Sequence, residues 1–544
     1  MSFHLDPSEP NPSLLLAVGA FLMCLSHMRY ASSFIAWIAP TPFCLYILGI
    51  QPLHKGEETS SLLSPFVFLA IALIAGWTLT TMKICTGHIP KIISVMYGIP
   101  LGGFQWCGYY LWQQMIFLLR DSAMYSNPDK SLELVAVYSV SFACSMTIQE
   151  YVQHQFTPFG TWGAACYTQC GTSESANLPL LQLCSIIGIA GPSFLMYWFA
   201  AIVSLGIQSA LSPSQLGPVI TNESTLKILL VWFIVMAIIH YWGSLRLDVA
   251  ASSPVKGESS SSSTSDMVKV ASVITDATFS GLPLPAKEQI EKINDKMFRL
   301  VDEAANGGAQ LISWTEGATV ALPGEEEEKL LKRAQDLVKR HNNRIHLVLC
   351  YIVPIKSEPS LLYENKSVWI LPDGKIHHQY LKCRPVPGEP AVPGKYGNKP
   401  AAVVHGNGTT EGFTGSAATA ICYDFDFPKV GLRYARAQVD LVVLPSSDWR
   451  GIDPLHTYMA AIRAIEGGYS ILRTTRMGLT AAIDPYGIFY GRLSWNQLPT
   501  SRLMIASLPL RRKTTIYSII GDTFIYLCIG FLAFFAASVK ALWI

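Results

Sequence analysis

Seven apolar stretches, each near the length of a bilayer-crossing helix, fill the first 243 positions of this sequence, and an eighth follows near its end. They run over 13–30, 33–50, 62–82, 92–118, 132–149, 179–208 and 226–243, then 518–538. A helix needs roughly 20 apolar residues to cross the hydrocarbon core. Backbone groups in lipid must be satisfied within the segment itself, so such runs take the form of helices. The sequence therefore predicts a polytopic α-helical membrane domain with about eight transmembrane helices. The weakest runs are 33–50, which holds Pro40 and Pro42, and 132–149, which is dotted with serines and ends at Gln149 and Glu150.

Only 14% of the residues are charged and half are hydrophobic, against about a quarter charged in soluble domains. A single soluble globule and a disordered chain are both excluded. The net charge of +2 offers no basic face, so no nucleic-acid partner is expected. Twelve cysteines in 544 residues do not make a disulfide scaffold. Cys24, Cys44 and Cys184 lie inside apolar runs, where a thiol acts as a small hydrophobe. Cys166 and Cys170, in the polar loop before the sixth run, are the one pair close enough in sequence to suggest a bridge. The first run has no positive segment before it and no clear cleavage site after it, so a retained anchor is expected. Loop cations leave the orientation open: Arg29, Lys83 and Lys91 fall on one side, Lys55, Arg120 and Lys130 on the other. Arg511, Arg512 and Lys513 weigh against a domain on the outer face.

After the seventh run the character changes. Residues 244–267 contain a Ser-rich tract that cannot bury a core and read as a linker. Residues 268–512 read as a soluble α/β domain, and 513–544 hold the last membrane helix. Strands are predicted at 347–354, 367–371, up to Tyr380 beyond the turn Pro372-Asp373-Gly374, 417–423, 441–445, 471–474 and 479–484. Helices are predicted at 286–306, 324–342 and 454–467, the first opening at Pro285. No internal repeat, metal-ligand spacing, glycine-rich phosphate loop or lipidation motif occurs in the sequence, so no cofactor and no metal are implied.

Three segments of this domain carry reactive groups. Leu311-Ile312-Ser313-Trp314-Thr315-Glu316-Gly317 ends a strand on a carboxylate. Tyr380-Leu381-Lys382 ends another on a lysine, and a proline-rich turn brings back Glu389. Ala420-Ile421-Cys422-Tyr423-Asp424 ends a third on a cysteine, just before a helix starting near Pro428. Alone, Glu316 and Lys382 read as surface residues and Cys422 as a buried inert thiol. Together they supply what thiol chemistry requires. A thiol needs a base to become a nucleophile, a buried carboxylate can be that base, and a lysine with backbone N–H groups can hold the developing oxyanion.

These segments resemble the Glu-Lys-Cys triad of the carbon–nitrogen hydrolase (nitrilase) superfamily. The similarity continues through Pro445-Ser446-Ser447-Asp448-Trp449, His456, Arg463-Ala464-Ile465-Glu466, Leu472-Arg473-Thr474-Thr475 and Gly478 to Gly487. One membrane-bearing branch of the superfamily, the apolipoprotein N-acyltransferases, is similar over nearly the full chain, including Leu180 to Gly188, Ser193-Phe194-Leu195 and Thr515 to Asp522 in the apolar part. The resemblance implies a four-layer α-β-β-α sandwich for the soluble domain. It implies Glu316 as general base, Lys382 as oxyanion-stabilising cation and Cys422 as the nucleophile carrying an acyl thioester. Glu389 and Asn365 would support the triad, and Tyr423 would give its backbone N–H. Trp449, Arg450 and Trp314 are expected in substrate-binding loops. Asp424 stands where the bacterial acyltransferases have Glu. The family's Ser-Asn-Asp-x-Trp-Phe-Gly becomes Ser446-Ser447-Asp448-Trp449-Arg450-Gly451, and Val386-Pro387 replace a longer segment before Gly388. These departures fall in loops expected to shape the acceptor pocket.

The function implied is transfer of a fatty acyl group from a phospholipid to an amine acceptor, by a membrane-embedded protein expected to be a monomer. A membrane-tethered amidase, in which water resolves the thioester, is the alternative; a non-catalytic scaffold is a third reading, against which the complete triad argues. The serine run leans towards a eukaryotic sequence, which would place the enzyme at the endoplasmic reticulum; a bacterial one would lie in the plasma (inner) membrane. Three N-x-S/T sequons occur, at Asn222, Asn365 and Asn407, of which Asn407 is the surface candidate.

Overall fold

The computed structural model describes residues 3–5, 11–52, 64–87, 89–120, 127–170, 177–211, 220–252, 267–277, 283–342, 344–356, 361–394, 404–406, 415–497, 502–510 and 512–541. Most of the Ser-rich tract, Arg511 and the sequon Asn407 lie outside them. The chain divides into two compact units. One comprises 1–156, 163–246 and 521–544, the other 157–162 and 247–520.

The first unit is helical apart from a short antiparallel pair, β1 (Phe3–Leu5) with β2 (Ile50–Pro52). Its helices are α1 (Pro12–Ser26), α2 (Ser33–Ile38), α3 (Thr41–Leu48), α4 (Pro65–Met82), α5 (Ile93–Arg120), α6 (Ser131–Phe156), α7 (Leu178–Leu181), α8 (Cys184–Ile187), α9 (Ala190–Leu211) and α10 (Asn222–Ser252). Four of them, α4, α6, α9 and α10, are long and apolar enough to cross a membrane. The second predicted run is broken into α2 and α3, with Pro40 at the N-cap of α3 and Pro42 in its first turn, where proline costs little. The sixth run is likewise three helices, split at Gln182-Leu183 and Gly188-Ile189. The seventh is longer than predicted: α10 runs on to Ser252, through residues assigned above to the linker.

Some buried polar groups of this unit pair with one another. Trp112 donates to the Tyr138 carbonyl. Glu150 of α6 accepts from the Ala165 N–H and the Tyr197 hydroxyl, at 2.9 and 2.8 Å. Cys166 and Cys170 do not form a bridge. Both are free thiols, and the Cys166 sulfur lies 3.8 Å from that of Cys184.

The second unit holds two six-stranded sheets. One has the order β14-β3-β4-β5-β6-β7, built from β3 (Met267–Val273), β4 (Leu311–Trp314), β5 (His346–Lys356), β6 (Leu362–Ile370), β7 (Ile376–Leu381) and β14 (Leu503–Pro509). The other has the order β13-β12-β11-β10-β9-β8, from β8 (Val404–Gly406), β9 (Gly415–Thr419), β10 (Leu441–Ser447), β11 (Ser470–Arg476), β12 (Thr480–Ile483) and β13 (Phe489–Leu493). At the centre of each, three strands run parallel: β3, β4 and β5 in one, β9, β10 and β11 in the other. The sheets face each other across a dry core of Val268, Val270, Leu311 and Val348 against Ala417, Leu441, Val443 and Leu472.

Helices α11 (Lys287–Asn306) and α12 (Glu325–Arg340) cover the outer face of the first sheet. Each buries a stripe at helical spacing: Met297, Val301 and Ala304 on α11, Leu330, Ala334, Leu337 and Val338 on α12. Glu325–Glu328 start α12 and Lys339-Arg340 end it, matching the helix dipole. Helices α13 (Pro428–Arg436) and α14 (Leu455–Gly467) belong to the second sheet's side, followed by α15 (Ile516–Ile520), while α16 (Thr523–Ala541) returns to the first unit. The result is a four-layer α-β-β-α sandwich. Parallel strands covered on both faces bring their carboxyl ends to one rim, and the reactive segments end there.

Candidate active site

The loop after β4 leaves Glu316 buried, 4% exposed, just before Gly317, which turns the chain at φ +55°. Lys382 follows β7 and is 2% exposed. Its Nζ donates to Glu316 Oε1 and to Glu389 Oε2, both at 2.7 Å. Glu389 reaches back because Gly388 adopts φ +91°, a conformation that costs glycine nothing. Asn365, on β6, donates from Nδ2 to Glu316 Oε1 at 2.7 Å, and the Tyr363 hydroxyl donates to Glu389 Oε1 at 3.2 Å. Two carboxylates therefore hold one ammonium, and the amide holds one of the carboxylates. Burial opposes the Lys382 charge, but Glu316 and Glu389 outweigh it and raise its pKa well above the ordinary lysine value. Glu316 Oε2 is buried and has no hydrogen-bond partner among the described residues.

The strand before the nucleophile stops sooner than the sequence suggests. β9 ends at Thr419, and Cys422 opens a single 3₁₀ turn, Cys422–Asp426, with its own φ at +45°. A non-glycine residue in this region carries strain that the surroundings must hold in place. The Cys422 sulfur lies 4.0 Å from the Ser447 carbonyl. Burial and then the Glu316 charge push its pKa up, while Lys382 and Arg473 pull it down; the net is well above the ordinary thiol value. The group at rest is a thiol, which needs a base to react.

Asp424 is the clamp of that turn. One oxygen accepts from the N–H groups of Cys383 and Arg384, at 3.0 and 2.7 Å. The other accepts from the Tyr380 hydroxyl and the Ile421 N–H, at 2.8 and 3.1 Å. The expectation that this carboxylate lines an acceptor pocket is thus corrected. It is fully buried and ties the lysine strand to the nucleophile turn. Trp314 is corrected too. It is the last residue of β4 and packs in the outer core against Phe298, ring centroids 5.1 Å apart. β4 ends at Trp314, and Glu316 stands two residues on, past the strand end and beside the turn at Gly317, so it leaves the sheet while Trp314 stays in the core. The sequon Asn365 is the buried Glu316 partner, which leaves no room for a glycan.

A second buried network, not foreseen from sequence, lies beside the nucleophile. Asp448 at the end of β10 takes a two-pronged bond from Arg473, at 2.8 and 3.0 Å. His456 at the start of α14 bonds to Asp448 through Nδ1 at 2.7 Å and to Asp426 through Nε2 at 2.8 Å. Burial opposes the imidazolium, but the two carboxylates outweigh it and lift its pKa to about 9. Ligand atoms of Cys422, Asp448 and His456 lie within 4.8 Å of one another. Both imidazole nitrogens are already committed to carboxylates and Arg473 caps Asp448, so the set is an ion network that does not suit a metal ion.

Residues 157–162, from the helical half of the sequence, fold as part of this unit. Trp162 donates from its indole N–H to Asp426 Oδ2, and Thr161 donates to the Asp426 carbonyl. The Trp162 ring stacks on Trp449 at 5.8 Å, and the Tyr423 hydroxyl donates to the Pro158 carbonyl at 2.8 Å. Arg450, beside Trp449, is exposed.

Residues 277–514, the sandwich that carries Glu316, Lys382 and Cys422, match the carbon–nitrogen hydrolase family. The chain as a whole is similar to apolipoprotein N-acyltransferases. The apolipoprotein N-acyltransferase of Geobacter metallireducens is 24% identical over 551 aligned residues, covering 97% of this chain and 95% of that protein. The one from Bradyrhizobium diazoefficiens is 27% identical over 407, covering 70% of each. A solved amidase from Nesterenkonia sp. is 17% identical over 48% of this chain and 95% of that one, with a TM-score of 0.35.

Proposed function

We propose that this protein is an integral-membrane N-acyltransferase that moves a fatty acyl group from a phospholipid to an amine through a thioester on Cys422. The observation that carries the reading is Glu316 Oε2, without a partner among the described residues, in a carboxylate whose other oxygen is held by Lys382 and Asn365. That oxygen is the base. It takes the Cys422 proton as the sulfur attacks the ester carbonyl of the lipid. The oxyanion of the tetrahedral intermediate takes its stabilisation from Lys382 and the Tyr423 backbone N–H. Collapse breaks the ester C–O bond, and the leaving alkoxide of the lysolipid takes the proton from Glu316. In the second half the amine attacks the thioester, Glu316 accepts a proton from nitrogen, and the departing thiolate is reprotonated. Glu389 and Asn365 hold Lys382 and Glu316 in register, and Trp449 and Arg450 border the acceptor side.

Similarity to apolipoprotein N-acyltransferases over nearly the whole chain, apolar helices included, supports transfer over hydrolysis. The test is the intact mass of detergent-purified protein incubated with phospholipid, before and after neutral hydroxylamine. A fatty-acyl increment that hydroxylamine removes, absent in Cys422→Ala, is expected. No increment, with release of fatty acid from a fatty amide, would replace this reading by the membrane-tethered amidase.

A further inference from the structure

Arg476 ends β11 opposite Ser447 in the parallel register. Its side chain is buried, 8% exposed. Nε and Nη2 donate to the Ser447 hydroxyl at 3.2 and 2.6 Å, and Nη1 donates to the Ala277 carbonyl. All three bonds go to neutral oxygens. A guanidinium has five N–H donors, so two are uncommitted, and among the described residues Arg476 forms no ion pair. Its neighbour on the same strand, Arg473, shows the usual solution for a buried guanidinium, two bonds to the Asp448 carboxylate.

The unpaired cation stands at the nucleophile. The Ser447 residue it grips offers its carbonyl 4.0 Å from the Cys422 sulfur. Burial pulls the Arg476 pKa below the ordinary value, and the charge of Glu316 in the lysine network only partly opposes it. The Glu316 charge is already bound by Lys382. Ser447 stands where the family resemblance has asparagine, so the shorter side chain and the guanidinium bound to it form a feature of this chain. A buried cation without a counter-charge is costly unless a ligand supplies one.

We propose that Arg476 binds an oxoanion, phosphate or carboxylate, of a substrate held against Cys422. This deepens the transfer reading and rests on Cys422 as nucleophile. A phosphate would come from the headgroup of the acyl donor, and a carboxylate from the amine acceptor. Either would fill the two uncommitted N–H groups and draw the reacting carbonyl or amine to the sulfur.

The first test needs no turnover. Alkylation of Cys422 in the detergent-purified full chain is followed by peptide mass spectrometry with iodoacetate and with iodoacetamide, probes of similar size and different charge. Arg476→Gln should lower the iodoacetate-to-iodoacetamide rate ratio about tenfold, and Arg476→Lys should restore most of it. An unchanged ratio in Arg476→Gln overturns the proposal; the iodoacetamide rate controls for a damaged fold. Substrate pairs then name the source: phosphatidylglycerol against diacylglycerol of the same chains, and glycine against glycinamide as acceptors. A fall in the first anionic-to-neutral ratio assigns phosphate, and a fall in the second assigns carboxylate. An equal loss on all four substrates makes the residue structural and overturns the proposal. If the wild type forms no acyl adduct but the alkylation ratio shifts, the transfer reading fails and the anion site stands.

Discussion

The ammonium of Lys382 lies 2.7 Å from Oε1 of Glu316, while Oε2 of the same carboxylate has no partner among the described residues. One side chain thus has an oxygen that is anchored and an oxygen that is available. The anchored one fixes the orientation, and the available one can accept a proton.

Glu316→Gln tests that division. Its amide oxygen can still take the bonds from Lys382 and Asn365, so the fold should persist with an unfolding temperature close to wild type. Acylation of Cys422 should fall about 10²–10⁴-fold, the range for loss of a general base. Retention of most of the single-turnover rate would remove Glu316 from that role.

Cys422→Ser keeps the size and the position of the nucleophile. An alkoxide is far harder to form than a thiolate, so no thioester and at most a trace of product are expected by intact mass and product assay. Turnover near wild type would mean the chemistry runs elsewhere.

Asp424→Asn exchanges a carboxylate with four donors for a group with one acceptor oxygen. Two donors lose their partner, at about 1–3 kcal/mol each. Thermal unfolding should shift down, and acylation should slow because the Lys382 strand and the Cys422 turn come apart. A variant as stable and as active as wild type would show that the clamp is dispensable.

Stability should depend on pH through His456. Its pKa rises on folding from 6.5 to about 9, so the stability it contributes is fully present below 6.5 and is lost as the pH climbs through 9. The shift corresponds to roughly 3 kcal/mol. Asp448 moves the other way. Burial raises it, but Arg473 and His456 outweigh that and hold it below its ordinary 3.8. Its share is present above that value and is lost as the pH falls below it. Unfolding of the purified protein should show a plateau near pH 5–6.5 and a decline towards pH 9, and His456→Gln should flatten the alkaline limb. An unaltered alkaline limb in that variant would assign the decline to another group.

Much of this architecture was legible in the order of residue types. Apolar runs and the 3.6-residue stripes of α11 and α12 depend on local spacing, so the helices at 287–306, 325–340 and 455–467 were predicted within a residue or two. Glu316, Lys382 and Cys422 were readable as strand-end residues, and the fold brings Glu316, Lys382, Glu389 and Asn365 into one bonded group. Trp314 was misjudged because Glu316, two residues on, is at the rim. β4 ends at Trp314, and the chain leaves the sheet before Glu316, so the end of the strand separates core from site.

Sequence by itself determined the two halves of the chain, the α/β class of the second and the candidates for its chemistry, since each follows from periodicity or from a short motif. Only tertiary structure decided that Asp424 is a clamp, that residues 157–162 join the unit of Asp426 and His456, and that Arg476 is buried with no ion-pair partner among the described residues. These outcomes set residues 29 to 265 positions apart beside one another. Burial then fixes their charge and bonding, because a low-dielectric interior makes every unpaired polar group costly, and no local pattern records which partner will be there.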